Sequence, residues 1–97
     1  MHNMVYLIGR IVELREDNVR IAVQRGYKNE EGIYETDFMT VFLAECMSGH
    51  VHEYCHKGDL IGIKGFLRQD TVDDKKVLKI IADKVSFLSS KSSKDEE

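Results

Sequence analysis

No run of apolar residues in this sequence reaches the roughly 18 needed to span a membrane. The N-terminus also lacks the apolar stretch and small-residue cleavage site of a secretory signal, so a cytoplasmic location is the expectation. Cysteine is scarce: Cys46 and Cys55 have no C-x-x-C spacing and read as free thiols rather than a disulfide. There is no proline and no internal repeat, which leaves no repeat architecture to consider. Nor is there a surplus of positive charge. A formal net charge of −3 excludes a generic polycation, so any contact with a polyanion has to come from local clusters of cations. No Ser/His/Asp arrangement, P-loop or paired-carboxylate site stands out; no catalytic machinery and no cofactor are expected.

What is present is one small domain, able to bury roughly 60% or more of its unfolded surface. Asn3 to Leu14 is a long strand rich in branched and aromatic residues, interrupted by Gly9. Val5, Leu7 and Ile11 lie opposite Tyr6, Ile8 and Val12, so both of its faces are apolar. Glu16-Asp17-Asn18 supplies a turn, and Val19 to Gln24 alternates as the returning hairpin arm. Gly26 to Gly32 reads as a polar loop. Tyr34 to Ala44 is a strand with Met39, Val41 and Leu43 on one face and Thr36, Phe38, Thr40 and Phe42 on the other. Glu45 to His56 is the one helix candidate. A strand from Leu60 to Arg68, a polar turn from Gln69 to Lys76 and a last strand from Val77 to about Leu88 follow. The expected domain is 1–88, with a Ser/Lys/acid-rich disordered tail over 89–97.

The segment from Glu53 to Arg68 carries the most information. Gly58 reads as the residue that closes the helix in a left-handed conformation. Beyond it Ile61, Ile63 and Leu67 point one way, and Gly62, Lys64, Phe66 and Arg68 the other. A ring between two cations on one strand face suits nucleic acid, because cations meet phosphates and the ring stacks on a base. Three strands, one helix and two strands is the order of an OB-fold, a five-stranded Greek-key barrel whose face and loops take up oligonucleotides.

The residues themselves resemble a family. Asn3-Met4-Val5-Tyr6-Leu7-Ile8-Gly9-Arg10, Thr36-Asp37-Phe38 followed by Val41, Tyr54-Cys55-His56-Lys57-Gly58 and Gly65-Phe66-Leu67-Arg68 are similar to motifs of bacterial single-stranded DNA-binding proteins, in the same order. That resemblance implies sequence-nonspecific binding and protection of single-stranded DNA in replication, recombination or repair, without catalysis. It places base stacking at Tyr27 and Phe38; with Phe66 from the strand-four face these are the candidate stacking rings. Arg10, Arg25, Lys28, Lys57, Lys64 and Arg68 are the candidate phosphate contacts. A homo-oligomer, tetramer or dimer, is also implied.

Three departures bear on this reading. Val72 among Asp70, Asp73 and Asp74 stands where relatives present another ring, a second family aromatic falls on Ala44, and the hairpin near Asp17 is short. These favour weaker binding or a smaller footprint. They also keep open an alternative, a primosomal-type OB-fold adaptor acting mainly through protein contacts. The tail has acids but no apolar residue to enter a partner's pocket, so recruitment through it is not expected. Cys46, His50, His52, Cys55 and His56 crowd into eleven positions, yet match no usual structural zinc spacing. They read as partly exposed helix residues, and no metal is expected.

Overall fold

The computed structural model describes residues 2–90, with side chains for all of these except 45–48 and 50. Five strands close into a barrel: β1 (Val5–Leu14), β2 (Asn18–Lys28), β3 (Tyr34–Leu43), β4 (Leu60–Val72) and β5 (Lys75–Ser89). The helix α1 (Glu45–Tyr54) lies between β3 and β4. The strand order is β1-β2-β3-β5-β4, and β1 pairs with both β2 and β4 to close the ring. β3 and β5 pair in parallel over Val41–Leu43, which requires the crossover that α1 and β4 supply. This is the five-stranded OB-fold expected from the element order.

Strict alternation builds the core. Val19 and Ile21 of β2, Val41 and Leu43 of β3, Ile61 and Ile63 of β4 and Ile11 of β1 point inward and are buried. A side chain of this size contributes roughly 1.5–3 kcal/mol when fully buried. Val51 and Cys55 dock the helix end on the same cluster. Gly65 continues the inward series after Ile63. A Cβ there would stand 2.0 Å from the Ile81 carbonyl oxygen, so only glycine lets β4 and β5 approach at this bulge.

Several expectations change. The polar stretch Gln69–Lys76 is not a turn but the end of a long β4–β5 arm, paired down to Val72 and Lys75. Its turn is only Asp73-Asp74, with φ of +49° and +63°. Positive φ at both central residues is the type I′ geometry that matches strand twist, and aspartate tolerates it better than most residues. Gly26 to Lys28, expected in a loop, belongs to β2, and a tight turn capped by the Asn29 side chain leads back into β3. The helix ends at Tyr54, not at Gly58. Gly58 instead holds φ +93° in a turn from His56 to Asp59, where its N–H donates to the Ile11 carbonyl. Cys55, read as partly exposed, is 4% exposed, and burial pushes its thiol pKa up. Cys46 and His50 have side chains outside the described residues. The expected tail lies outside them from residue 91 onward, and Ser89 still pairs with Leu60.

The outer side of β1 is apolar and open. Tyr6 is 71% exposed and Met4 and Ile8 more than half exposed, while Leu88 packs over Gly62 on the neighbouring surface. No helix among the described residues is long and apolar enough to cross a membrane.

Candidate nucleic-acid interface

β2 and β3 pair from Asn18–Phe42 out to Lys28–Tyr34, whereas β5 joins β3 only over Val41–Leu43. β1 pairs with β2 over Val19–Ala22, so the hairpin beyond the Ala22–Phe38 pair projects from the barrel as a two-stranded ribbon. Register divides the hairpin's side chains. On the outer face stand Asn18, Arg20, Ala22 and Gln24 opposite Phe42, Thr40, Phe38 and Thr36, with Lys28 opposite Tyr34. Among the described residues, no acid occupies an outward position on either of these strands between Asn18 and Phe42.

Phe38 is 57% exposed, and the small Ala22 opposite leaves room beside its ring. The Arg20 guanidinium lies over it, 5.4 Å from the centroid. Lys28 reaches over Tyr34 at 5.6 Å, and Lys79 of β5 over Phe42 at 4.8 Å. Glu13, opposite Arg20 on β1, is engaged by Arg15 at 3.1 Å, and that hydrogen bond holds its carboxyl below the usual range. A cation over an exposed ring is worth about 0.5–1 kcal/mol. A stacked base is worth about 1–3 kcal/mol. A base can therefore take the ring while the long cationic side chain turns to a neighbouring phosphate.

Where β3 meets β5, register lines up Phe42, Ile81 and Phe66 across three strands. They border a groove also lined by Arg68, Lys79, Asp17 and Asp83. Asp70 takes up both cations here. Its carboxylate accepts from Arg68 Nε and Nη2 at 2.8 and 2.9 Å and lies 3.3 Å from Lys79 Nζ. The Arg68 hydrogen bond holds the Asp70 carboxyl below its ordinary range.

The candidate residues thus separate into groups. Phe38 and Lys28 share the outer face of the β2–β3 hairpin, and Phe66 and Arg68 adjoin it across β5. Arg25 points to the other ribbon face, where Asp37 accepts from it at 3.0 Å through both oxygens and Glu35 at 3.4 Å. That pairing lowers the Asp37 pKa and raises the Arg25 pKa. Tyr27 lies in the bulge of β2 two residues from Arg25 and is 66% exposed. Arg10 donates to the Gly58 carbonyl at 2.9 Å, Lys57 lies in the exposed turn before Gly58, and Lys64 stands between Tyr6 and Lys84. Of these three, Arg10 shares the Phe38 face, in register with Ala22 and Phe38 across three strands, whereas Lys57 and Lys64 lie away from it.

Arg20, Tyr34, Phe42 and Lys79 are not among the residues the sequence singles out for the site. Tyr34, Phe38 and Phe42 recur every fourth residue on one strand face, a signal readable by alternation. The cations above them come from other strands and needed the register.

Comparison with known proteins bears on the same residues. Residues 2–88 match the family model described as the Single-strand binding protein family. A "Single-stranded DNA-binding protein 2" of Staphylococcus aureus (strain COL) is 34% identical over 107 residues, covering 95% of this chain and 77% of the relative. Among solved structures, the wild-type single-stranded DNA binding protein from Thermus aquaticus superposes with a TM-score of 0.75 at 19% identity. The match covers 94% of this chain, which spans about half of that one, 52%. A Plasmodium falciparum SSB in complex with ssDNA gives 0.72 at 18% identity, covering 92% of this chain and 96% of its own. At these identities the two structures establish the shared fold.

Proposed function

This chain belongs to the single-strand binding protein family, and we propose that it binds and protects single-stranded DNA, without sequence preference and without catalysis, in replication, recombination or repair. The observation that carries this reading is Phe38: a large ring more than half exposed on an acid-free strand face, with a guanidinium beside it. A ring offers its face to any base, and the cation meets the phosphate that every nucleotide carries, so the pair recognises the polymer rather than a sequence. Named relatives that bind single-stranded DNA, and a fold neighbour solved with it, support the same assignment.

The binding unit in this reading is the domain 1–88, acting in a homo-oligomer. The open apolar strip of Tyr6 and Ile8 on β1, with Met4 just before it and continued toward Leu88, suits a second copy of the same surface. The alternative, an adaptor working through protein contacts, draws support from Arg25 and Arg68, whose charges are already met by Asp37 and Asp70. Titration of labelled oligo(dT) at two salt concentrations separates the readings. Binding that weakens as salt rises follows from phosphate contacts with counterion release; no binding at either salt leaves the adaptor.

A further inference from the structure

We propose that the DNA strand runs lengthwise along β3, over Tyr34, Phe38 and Phe42 in turn, with Lys28, Arg20 and Lys79 each taking a phosphate beside its ring. The inference deepens the single-stranded DNA reading and rests on it. Three rings occupy outward positions at a constant spacing of four residues, and each already has one cation within 5.6 Å of its centroid. Eight residues of strand span about 26 Å at the ~3.3 Å rise of a β-strand. That length suits the lower part of the ~4–16 nucleotides bound per OB-fold.

The alternative course, from Phe38 across the barrel to Phe66 and out along the β4–β5 arm, meets the wrong charge. Its arm carries Asp70, Asp73 and Asp74, and Asp70 already satisfies Arg68 through two hydrogen bonds, while Asp17, Asp83 and the Asp70–Lys79 pair border the Phe42 end that both courses share. Along β3 the outward charge comes from Arg20 and Lys28, with Glu13 of β1, opposite Arg20, held by Arg15. Both courses share Phe42 and Lys79 at the barrel end, so Tyr34 at one extremity and Phe66 at the other distinguish them. Tyr34 is 46% exposed near the ribbon's end, which makes its replacement benign for the fold.

The test measures anisotropy of labelled oligo(dT) of increasing length with the intact protein and with Tyr34→Ala, Phe38→Ala and Phe66→Leu. Wild-type affinity should rise with length until the three rings are covered and then level off within each subunit. Tyr34→Ala should match wild type on the shortest oligonucleotides and lose about tenfold on longer ones, the loss of one stacked base. Phe38→Ala should weaken binding at every length, and Phe66→Leu should change little. If Tyr34→Ala binds every length as wild type does while Phe38→Ala is weakened, the lengthwise path is wrong and the single-stranded DNA reading survives. A loss on Phe66→Leu larger than on Tyr34→Ala likewise overturns the path in favour of the crossing. If Phe38→Ala is also without effect, the reading beneath the proposal fails with it.

Discussion

Asp70 withdraws charge from the barrel end of the face, and replacing it should strengthen DNA binding in a salt-dependent way. Its carboxylate holds Arg68 through two hydrogen bonds of 2.8 and 2.9 Å and reaches Lys79 at 3.3 Å. Asp70→Asn preserves size and removes the charge, so these cations become available to phosphate. On single strands each phosphate neutralised steepens the plot of log affinity against log salt by about 0.7. Removing one compensating charge allows one further phosphate to be neutralised. Between about 50 and about 200 mM salt, that added slope corresponds to roughly a 2.6-fold greater change in affinity. Because the ion pairs are partly exposed, Asp70→Asn should leave the protein folded. Anisotropy titration of labelled oligo(dT) across this salt range measures both slopes. Adding Arg68→Gln in the Asp70→Asn background should return the slope toward wild type. Equal slopes would refute the reasoning, and weaker binding by Asp70→Asn would show that the carboxylate positions the two cations instead of competing for them.

Gly65→Ala should destabilise the barrel by about 3 kcal/mol or more, because the new methyl meets backbone rather than a movable side chain; urea denaturation reads this, and an unchanged midpoint would contradict the close approach of β4 to β5. Asp37 and Asp70 have folded pKa values below their unfolded ones, so their stabilisation is present above about pH 4 and lost as pH falls through the folded values. Cys55 is raised by burial, so stability is full below the ordinary thiol value of about 8.5 and declines as pH rises beyond it. Thermal melts across pH should show both limbs, with Arg25→Gln flattening the acid one and Cys55→Ala the alkaline one. Ile8→Asp, on the exposed side of β1, should shift a homo-oligomer to monomer in light scattering at micromolar concentration while leaving the fold intact.

The barrel was legible in the sequence because its core is written in alternation. Val19 and Ile21, Met39, Val41 and Leu43, and Ile61 and Ile63 identify their faces without reference to any partner strand. The lengths of the two arms were not legible. Gln69 to Lys76 is polar because it is solvated on both faces, and polarity alone looks the same in an arm as in a turn. The site divides similarly. Phe38 and its face follow from β3 alone, and the Arg68–Asp70 pair is two residues apart on one strand face. Arg25–Asp37 depends on the β2–β3 register, and Lys79 over Phe42 on the parallel β3–β5 pairing, contacts that local pattern does not encode.

The central claim is that an exposed ring on an acid-free strand face holds single-stranded DNA by stacking. Phe38→Ala tests it most directly, titrated beside wild type with labelled oligo(dT) and with duplex of equal length, after circular dichroism confirms an unchanged fold. Wild type should prefer the single strand over duplex, and Phe38→Ala should lose about 1–3 kcal/mol of single-strand affinity. Equal binding of single strand and duplex, or a folded Phe38→Ala variant that binds oligo(dT) as tightly as wild type, would contradict the account.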